Sequence, residues 1–335
     1  MDKRRRLVTL GMATGAVGLS TGLGQLAYAK ARTGPGPIGG GPIRILVPYA
    51  AGSAQELVVR TFSGELASAL GDPVVIEERP GGGGGLASEL VSQAKPNGHT
   101  MVIAAETHLI APLMRKVPPY NPIKDFTPIA EVGISGGHVI TVSENFPAKT
   151  FAEFIKYVKA HPGKVTYSSA GVGTITQLAM AMVAGAAGLE MVNIPFNSNS
   201  GPILGVMSGR IDATAIPMSL APRYIKNKKL RMLAVTSAHR SPLLPNLPAV
   251  SETYPGYSFQ GWYGLLAPAG VPKPIVDELN TTVNKLLGEP VVRERLARLS
   301  ITVHRATPEE FKKTMEEDYV KIRGVLQKAG VLGTK

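Results

Sequence analysis

The sequence predicts an α/β fold made of two halves with a ligand cleft between them. Apolar runs typical of buried strands alternate with segments whose apolar residues recur at helical spacing. This alternation begins a second time near residue 164. Size supports the same fold class, because 335 residues that are 44% hydrophobic can bury an ample core and suggest about two domains.

The first half is predicted to be a parallel sheet flanked by helices. Leu57, Phe62, Leu66 and Leu70 follow a helical period, whereas the segments on either side are short apolar runs. Strand–helix–strand order with short connections is typical of parallel strands. The predicted elements are strand 43–49, helix 54–70, strand 73–78, helix 86–95, strand 100–106, and two closely spaced strands at 127–132 and 138–144.

A helix whose start is marked by a capping box precedes the second series of strands and helices. Thr150 is followed three residues later by Glu153, and Phe151, Phe154 and Val158 share one face of the helix. The predicted elements are this helix at 149–161, strand 164–170, helix 174–188, strand 191–196, helix 201–209, strands 211–217, 231–237 and 261–268, and two final helices beginning near Pro274 and at Thr307.

The N-terminus has the pattern of a secretory signal peptide. A basic segment, MDKRRR, precedes a stretch of apolar and small residues, and Ala27-Tyr28-Ala29 fits the small-x-small cleavage pattern. Residues 1–29 are therefore predicted to be a cleavable signal for export to the periplasm, by the twin-arginine or the general secretory route. A membrane anchor is the alternative, but the stretch lacks about twenty strongly apolar residues. The Gly/Pro-rich residues 30–41 are predicted to be a disordered lead-in.

Composition excludes several kinds of chemistry. The chain has no cysteine, which rules out disulfides, thiol catalysis and cysteine-based zinc sites. Its net charge of +12 suits anionic partners, but no basic run beyond the N-terminus is interleaved with aromatic residues, so we predict no nucleic-acid binding. The six histidines form no ligand pair at helical spacing, and we expect neither a metal ion nor a cofactor.

Two short motifs resemble functional loops without meeting their requirements. Gly133–Gly137 matches G-x-S-x-G, but the segment after Ser135 resembles a strand, whereas a nucleophile elbow needs a helix there. Gly81–Gly85 lacks the lysine and the spacing of a phosphate loop. We interpret the first motif as a turn between two strands. The second is predicted to be a tight turn beside the cleft, and its contact with ligand is left open.

Small polar residues recur where predicted strands end. Ligands of open parallel sheets bind outside the carboxyl ends of the strands, where the N-termini of the following helices favour anions. The junctions lie at 48–56, 78–85, 106–112, 168–177 and 195–202. Because they occur in both halves, they predict a cleft between the halves that binds an anion.

The order of several motifs resembles one known family, the Bug-type receptors. These are the periplasmic solute-binding components of tripartite tricarboxylate transporters. The resemblance runs from about Pro42 to Gly330 and includes, in order, PIRILVPYAAGSAQE, VVIEERPGGGGG, AKPNGHT, YNPIKDFTPIAEV, YSSAGVGT, GRIDA, WYGLLAPAGVP and RATPEEF. It implies a two-domain clamshell of the periplasmic-binding-protein type. We divide the chain into domain 1, comprising 42–145 plus 262–335, and domain 2, comprising 146–261.

The resemblance also implies a set of ligand-binding residues in the loops that follow the first strands of each domain. In this family such loops bind mostly carboxylates through backbone amides, hydroxyls and bridging waters. The implied residues are Tyr49, Ala50, Ser53, Ala54, Glu56, Thr107, His108, Ser168, Ser169, Gly173, Thr174, Phe196 and Ile216.

This chain departs from the family pattern at four of the expected cleft positions. Ser53 replaces a usual glycine, Glu56 a usual aspartate, Gln177 a usual histidine and Ile216 a frequent aspartate. The loss of an acidic group suggests a less polar or aromatic carboxylate ligand. Neutral drift at the edge of the cleft is the alternative interpretation.

The resemblance implies a non-enzymatic, monomeric receptor that presents a small carboxylate to membrane transporter subunits. Two alternatives stay open from the sequence. The ligand-bound form could act as a sensing partner of a signalling kinase, or the chain could be an exported hydrolase that uses Ser135 or Ser169.

Overall fold

The computed structural model describes residues 38–196, 198, 200–328 and 332–333. The predicted signal peptide and the predicted lead-in as far as residue 37 lie outside these described residues. The last part of the lead-in is packed against the body of the protein. Ile38 lies in a buried apolar cluster, and the N–H of Gly41 donates to Oδ1 of Asp72 at 2.9 Å.

The strands of the described chain form two mixed sheets. The six-stranded sheet has the order β11-β4-β10-β3-β1-β2, and the five-stranded sheet has the order β7-β6-β8-β5-β9. We call the parts of the chain built on these sheets the first lobe and the second lobe. The strands are β1 (Ile43–Val47), β2 (Val74–Glu78), β3 (Thr100–Ala104), β4 (Phe126–Ser135), β5 (His138–Ser143), β6 (Thr166–Ser169), β7 (Val192–Pro195), β8 (Ala213–Pro217), β9 (Leu230–Val235), β10 (Trp262–Pro268) and β11 (Ile301–Val303).

Helices pack on both sheets, as the alternation of elements predicts. The helices are α1 (Ala54–Arg60), α2 (Ser63–Leu70), α3 (Leu86–Ser92), α4 (Thr107–Leu113), α5 (Phe151–Ala160), α6 (Ile175–Ala187), α7 (Ser200–Met207), α8 (Lys273–Gly288), α9 (Pro290–Arg298) and α10 (Pro308–Lys328). The first lobe carries α1 to α4 and α8 to α10, and the second lobe carries α5 to α7. The predicted fold class, two α/β lobes, is confirmed.

The predicted parallel pairing holds for only part of each sheet. β1 pairs in parallel with β2 and β3, and β6 pairs in parallel with β7 and β8. By contrast, β10 is antiparallel to β3 and β4, and β5 is antiparallel to β8 and β9. The antiparallel strands β4, β5 and β10 adjoin the points where the chain passes from one sheet to the other, and such a passage lets a strand enter its sheet from the opposite end.

The chain first passes between the lobes at two glycines. β4 ends at Ser135 in the six-stranded sheet, and β5 begins at His138 in the five-stranded sheet, so Gly136–Gly137 is the crossing. This point lies ahead of the predicted domain boundary after residue 145. The sequence GISGG is therefore a turn between two strands, as predicted, but these strands belong to different sheets.

The return passage lies against the first crossing. Residues 236–261 lead from β9 back to β10. The N–H of Ser135 donates to the carbonyl of Gly261 at 2.6 Å. The N–H of His138 donates to Oγ1 of Thr236 at 2.7 Å. These bonds join the two passages where the lobes meet.

Some helices differ from their predicted extent. The single helix predicted at 54–70 is two helices, because the chain turns at Thr61 and Phe62. The hydroxyl of Thr61 donates to the carbonyl of Val58 at 2.7 Å, and Phe62 has φ −136° and a fully buried side chain. The predicted cap of α5 is present, since Thr150 Oγ1 accepts from the N–H of Glu153 at 3.2 Å. At the start of α10, Thr307 Oγ1 accepts from the N–H of Glu310 at 3.1 Å. The elements α4, α9 and β11 were not predicted from the sequence.

Candidate functional site

A small cavity lies between the two lobes. It encloses about 30 Å³, enough for one or two water molecules. Ligand-sized acids therefore need a wider opening than this conformation has. The residues lining the cavity come from both lobes: Tyr49, Ala54, Gln55, Ala105, Glu106, Ser135, Gly137, His138, Ala170, Thr174, Ile175, Thr176, Pro217 and Tyr263.

The cavity lies at the carboxyl ends of the parallel strands, where the sheet topology predicts it. Tyr49 follows β1, Glu106 follows β3, Ala170 follows β6, and Pro217 is the last residue of β8. Parallel strands present their carboxyl ends at one edge of the sheet, so the loops that follow them converge there. Three of the predicted site residues, Tyr49, Ala54 and Thr174, line the cavity.

The polar groups of the first loop stabilise the loop itself. Ser53 is the N-cap of α1, and its Oγ accepts from the N–H of Glu56 at 3.4 Å. The carboxylate of Glu56 accepts from the N–H of Gly52 and from Nε of Arg60. Burial opposes ionisation of Glu56, but these hydrogen bonds outweigh it and hold the pKa of the carboxyl below its ordinary value. The predicted residues Ser53 and Glu56 therefore shape this loop, and the exposed Ala50 lies outside the cavity.

The loop after β3 contributes a residue that was not predicted from the sequence. Glu106 lines the cavity, whereas the predicted His108 points into the first lobe. The ring nitrogens of His108 lie 2.9 Å from Oγ of Ser88 and 2.8 Å from the carbonyl of Pro122. Burial lowers the pKa of His108 to about 4, so the ring is neutral. The predicted Thr107 is buried one residue beyond Glu106, but does not line the cavity.

The loop after β6 brings hydroxyl groups to the cavity from the second lobe. Thr174 Oγ1 donates to the carbonyl of Gly171 at 2.7 Å and lies 3.1 Å from Oγ1 of Thr176, which also lines the cavity. The predicted Ser168 and Ser169 do not line it. Their hydroxyls donate to the carbonyls of Pro202 and Gly171, at 2.9 and 3.2 Å.

The predicted Phe196 and Ile216 belong to an apolar cluster of the second lobe. This cluster also contacts Leu57, which lies in α1 of the first lobe. Neither residue lines the cavity. At the position where the family often has an aspartate, Ile216 thus contributes to this apolar cluster, whereas the adjacent Pro217 lines the cavity.

The glycine run beside β2 forms a tight turn, as predicted. Gly82–Gly84 is a 3₁₀ turn with positive φ angles throughout. A Cβ on Gly84 would lie 2.7 Å from the hydroxyl of Tyr49, so only glycine lets the turn approach that side chain. A second cavity, of about 240 Å³, lies between this turn and the predicted Gly173 of the second lobe. The run therefore shapes the mouth of the cleft.

Burial favours the neutral forms of the ionisable groups at the cavity. Burial raises the pKa of Glu106 to about 8, and the nearby Asp318 adds to the rise. Burial likewise lowers the pKa of His138 to about 4 and raises that of Tyr49 to about 12. Burial also raises the pKa of Tyr263. At neutral pH the titratable residues lining the cavity are thus predominantly uncharged.

Ser135 lines the cavity but lacks the arrangement of a catalytic nucleophile. Its Oγ accepts from the N–H groups of Gly137 and Gly261 at 3.2 and 3.1 Å. The ring nitrogens of His138 have no hydrogen-bond partner, so neither activates this serine. The motif GISGG serves the crossing between the lobes.

Two α/β lobes, joined by two adjacent passages and enclosing a polar cavity at their strand ends, define the class of two-lobed solute-binding proteins. A family model described as "Tripartite tricarboxylate transporter family receptor" matches residues 58–331. The chain therefore belongs to this receptor family, as the resemblance of its motifs implied. Members of the family are solute-binding receptors.

Relatives of similar length agree with this assignment. A Cupriavidus necator protein named "UPF0065 protein in gbd 5'region" is 30% identical over 334 residues, which cover 99% of each chain. A "UPF0065 protein in tcbD-tcbE intergenic region" from a Pseudomonas species is 31% identical over 270 residues, covering 80% of each chain.

Solved structures share the fold. The periplasmic binding protein BugD is 29% identical with a TM-score of 0.81, over 87% of this chain and 98% of that one. An R. palustris protein with adipate is 25% identical with a TM-score of 0.82, over the same shares. MatC from Rhodopseudomonas palustris with bound malate is 29% identical with a TM-score of 0.77, over 85% and 99% of the two chains.

Proposed function

We propose that this receptor captures a small carboxylate between its two lobes and delivers it to the membrane subunits of a tripartite tricarboxylate-type transporter. The observation that carries the proposal is the polar cavity at the converging strand ends of both lobes, in a chain of this receptor family. Related structures that hold adipate and malate support a carboxylate ligand.

The character of the lining suggests a weakly polar acid. Among the described residues that line the cavity there is no lysine or arginine, and Ala54, Ile175 and Pro217 add apolar surface. A tricarboxylate would place several charges against such a lining, which is costly without cationic partners. We therefore favour a monocarboxylate or a dicarboxylate, including aromatic acids.

The receptor is proposed to work in the periplasm after cleavage of residues 1–29. The basic start, the apolar stretch and the Ala-Tyr-Ala site support this location, as does similarity to the periplasmic binding protein BugD. In the described part of the chain, no helix has the length and apolar character needed to cross a membrane.

A thermal-shift screen tests the proposed function. The purified protein is heated with malate, adipate, benzoate or citrate, and a ligand that binds only the folded form must raise the melting temperature. We expect a saturable rise with at least one mono- or dicarboxylate and little change with citrate. Absence of any shift with all four acids would contradict carboxylate capture.

A further inference from the structure

His138 is an unpartnered polar side chain inside the cavity. It is 6% exposed, and neither ring nitrogen has a hydrogen-bond partner. Its ring stacks on Phe259 with centroids 5.9 Å apart, and its backbone N–H donates to Oγ1 of Thr236 at the crossing between the lobes. A buried imidazole without partners costs stability, so its nitrogens are available for a group that enters the cavity.

Glu106 faces the same cavity from the first lobe. Its Oε1 accepts from the backbone N–H of Trp262 at 2.6 Å, which fixes the carboxyl at the start of β10. A Cβ on Gly261 would lie 1.3 Å from this oxygen, so the glycine leaves room for the carboxyl. Because the cavity encloses only about 30 Å³, a group that enters it lies close to both Glu106 and His138.

The cavity offers a carboxylate no cationic side chain among its described lining residues. The titratable groups that face His138 there are Glu106, Tyr49 and Tyr263, none of which is a cation. The segments packed against His138 present Pro217, Thr236 and Phe259, none of which titrates. A bound carboxylate would therefore depend on hydrogen bonds and on a proton for neutralisation.

We propose that the ligand carboxylate binds between His138 and Glu106 and that binding takes up one proton onto His138. This inference rests on the proposed function and specifies how the same cavity recognises its ligand. In the complex the imidazolium of His138 neutralises the carboxylate, and the protonated carboxyl of Glu106 donates a hydrogen bond to it. No other cation is required.

The sign of the pH dependence follows from the two groups. A carboxylate beside His138 raises the pKa of the imidazole from about 4, so the complex holds more protons than the free receptor. Affinity must therefore increase as pH falls, by up to about tenfold per pH unit for one proton. Above about pH 8 the carboxyl of Glu106 ionises and repels the ligand, which weakens binding further.

Calorimetry in buffers of different ionisation enthalpy counts the proton. Malate, adipate and benzoate are titrated into the receptor at about pH 6.5, and the slope of binding enthalpy against buffer enthalpy gives the uptake. We expect about one proton per bound acid in the wild type. His138→Gln should remove the uptake and the pH dependence of affinity. The control, His161→Gln, changes an exposed histidine outside the cavity and should keep both.

Each outcome decides the inference. Binding of an acid by the wild type without proton uptake, or uptake that persists in His138→Gln, would overturn it and leave the proposed function intact. Failure of every acid to bind the wild type would overturn both. If His138→Gln does not fold, the wild-type buffer series still decides.

The variant Glu106→Gln keeps the acceptor for the N–H of Trp262. It should retain proton uptake on binding at about pH 6.5 and lose the additional weakening of ligand affinity above about pH 8.

Discussion

Buried ionisable residues set the chemistry of this receptor at the scale of single side chains. Glu106 keeps its place through one backbone hydrogen bond and through the absence of a side chain at Gly261. The backbone N–H of Trp262 bonds to Glu106, whereas its indole N–H donates to Oδ2 of Asp318 at 3.0 Å. Burial raises the pKa of Asp318 as well. The first lobe thus holds two neighbouring carboxyls whose pKa values burial raises above their ordinary values.

Glu106→Gln should change how stability depends on pH. Burial raises the pKa of Glu106 from 4.5 to about 8 in the folded protein, so the folded state binds this proton more tightly than the unfolded chain. Its contribution to the free energy of unfolding is complete below about pH 4.5 and is lost as pH rises towards about 8, by up to about 1.4 kcal/mol per pH unit. The variant should therefore show a smaller decline across this range in urea denaturation.

The matched control is Glu190→Gln, which changes an exposed carboxyl. This substitution should leave the wild-type dependence of the free energy of unfolding on pH unchanged. Burial also raises the pKa values of Asp318 and Glu131. These two carboxyls should therefore preserve part of the decline in the free energy of unfolding with rising pH in Glu106→Gln. An unchanged slope in Glu106→Gln would show that this carboxyl is not held protonated by the fold.

At the scale of the secondary-structure element, local capping determines where helices begin. α5 starts at Thr150, whose hydroxyl oxygen accepts from the N–H of Glu153, while the carboxylate of Glu153 accepts from the N–H of Lys149 at 2.7 Å. The apolar face behind this cap packs Phe151, Phe154 and Val158 into the core. Cap and apolar face agree, so the sequence predicted this helix correctly.

Thr150→Ala should destabilise the second lobe at this helix start. Loss of the capping oxygen leaves an N–H of the first turn without its partner, which costs about 1 kcal/mol. Thr314→Ala is the control, because Thr314 is a half-buried residue within α10 that caps no helix, and alanine favours the helix interior. Urea denaturation should show a lower free energy of unfolding for the first variant only. Equal effects of the two substitutions would contradict the capping role.

At the scale of the whole molecule, contacts across the cleft hold the lobes close together. Leu57 of α1 packs on the apolar cluster of the second lobe. The charge of Arg223, in the turn after β8, helps to lower the pKa of Glu56. A Cβ on Gly173 would lie 2.7 Å from Cγ of Met114 in the first lobe. We expect ligand to enter and leave by separation of these surfaces, as in other two-lobed receptors.

Gly173→Ala should shift the molecule towards a more open form. The added methyl group meets Met114 across the cleft, so closure should become less favourable by about 1 kcal/mol and the affinity for ligand several-fold weaker. Small-angle scattering should give a larger radius of gyration than for the wild type. Gly163→Ala is the control. Gly163 has a positive φ of +67°, similar to the +81° of Gly173, but nothing lies within 4 Å of the methyl group that the substitution adds. A radius of gyration and affinity that match those of the control would contradict the closure contact.

Local sequence information was sufficient for the fold class. Strand runs, helical periods and capping boxes each depend on residues a few positions apart, and the predicted order of strands and helices was largely correct. The helix α4 was not predicted. It begins at Thr107, shortly after β3, and contains Pro112, and proline argues against a helix interior. The same local signals led to one long helix at 54–70, since the break at Phe62 depends on where its side chain packs.

The sequence by itself determined an α/β chain with polar junctions at its strand ends, and its motif order indicated the receptor family. Only the tertiary structure decided which junction residues reach the cavity. Ser53 and Glu56 are committed to their own loop, and His108 points into the first lobe. His138 comes to the cavity because the chain changes sheets at Gly136–Gly137. The physical reason is that side-chain direction and sheet membership depend on residues far apart in the chain, whereas sequence patterns record only neighbours.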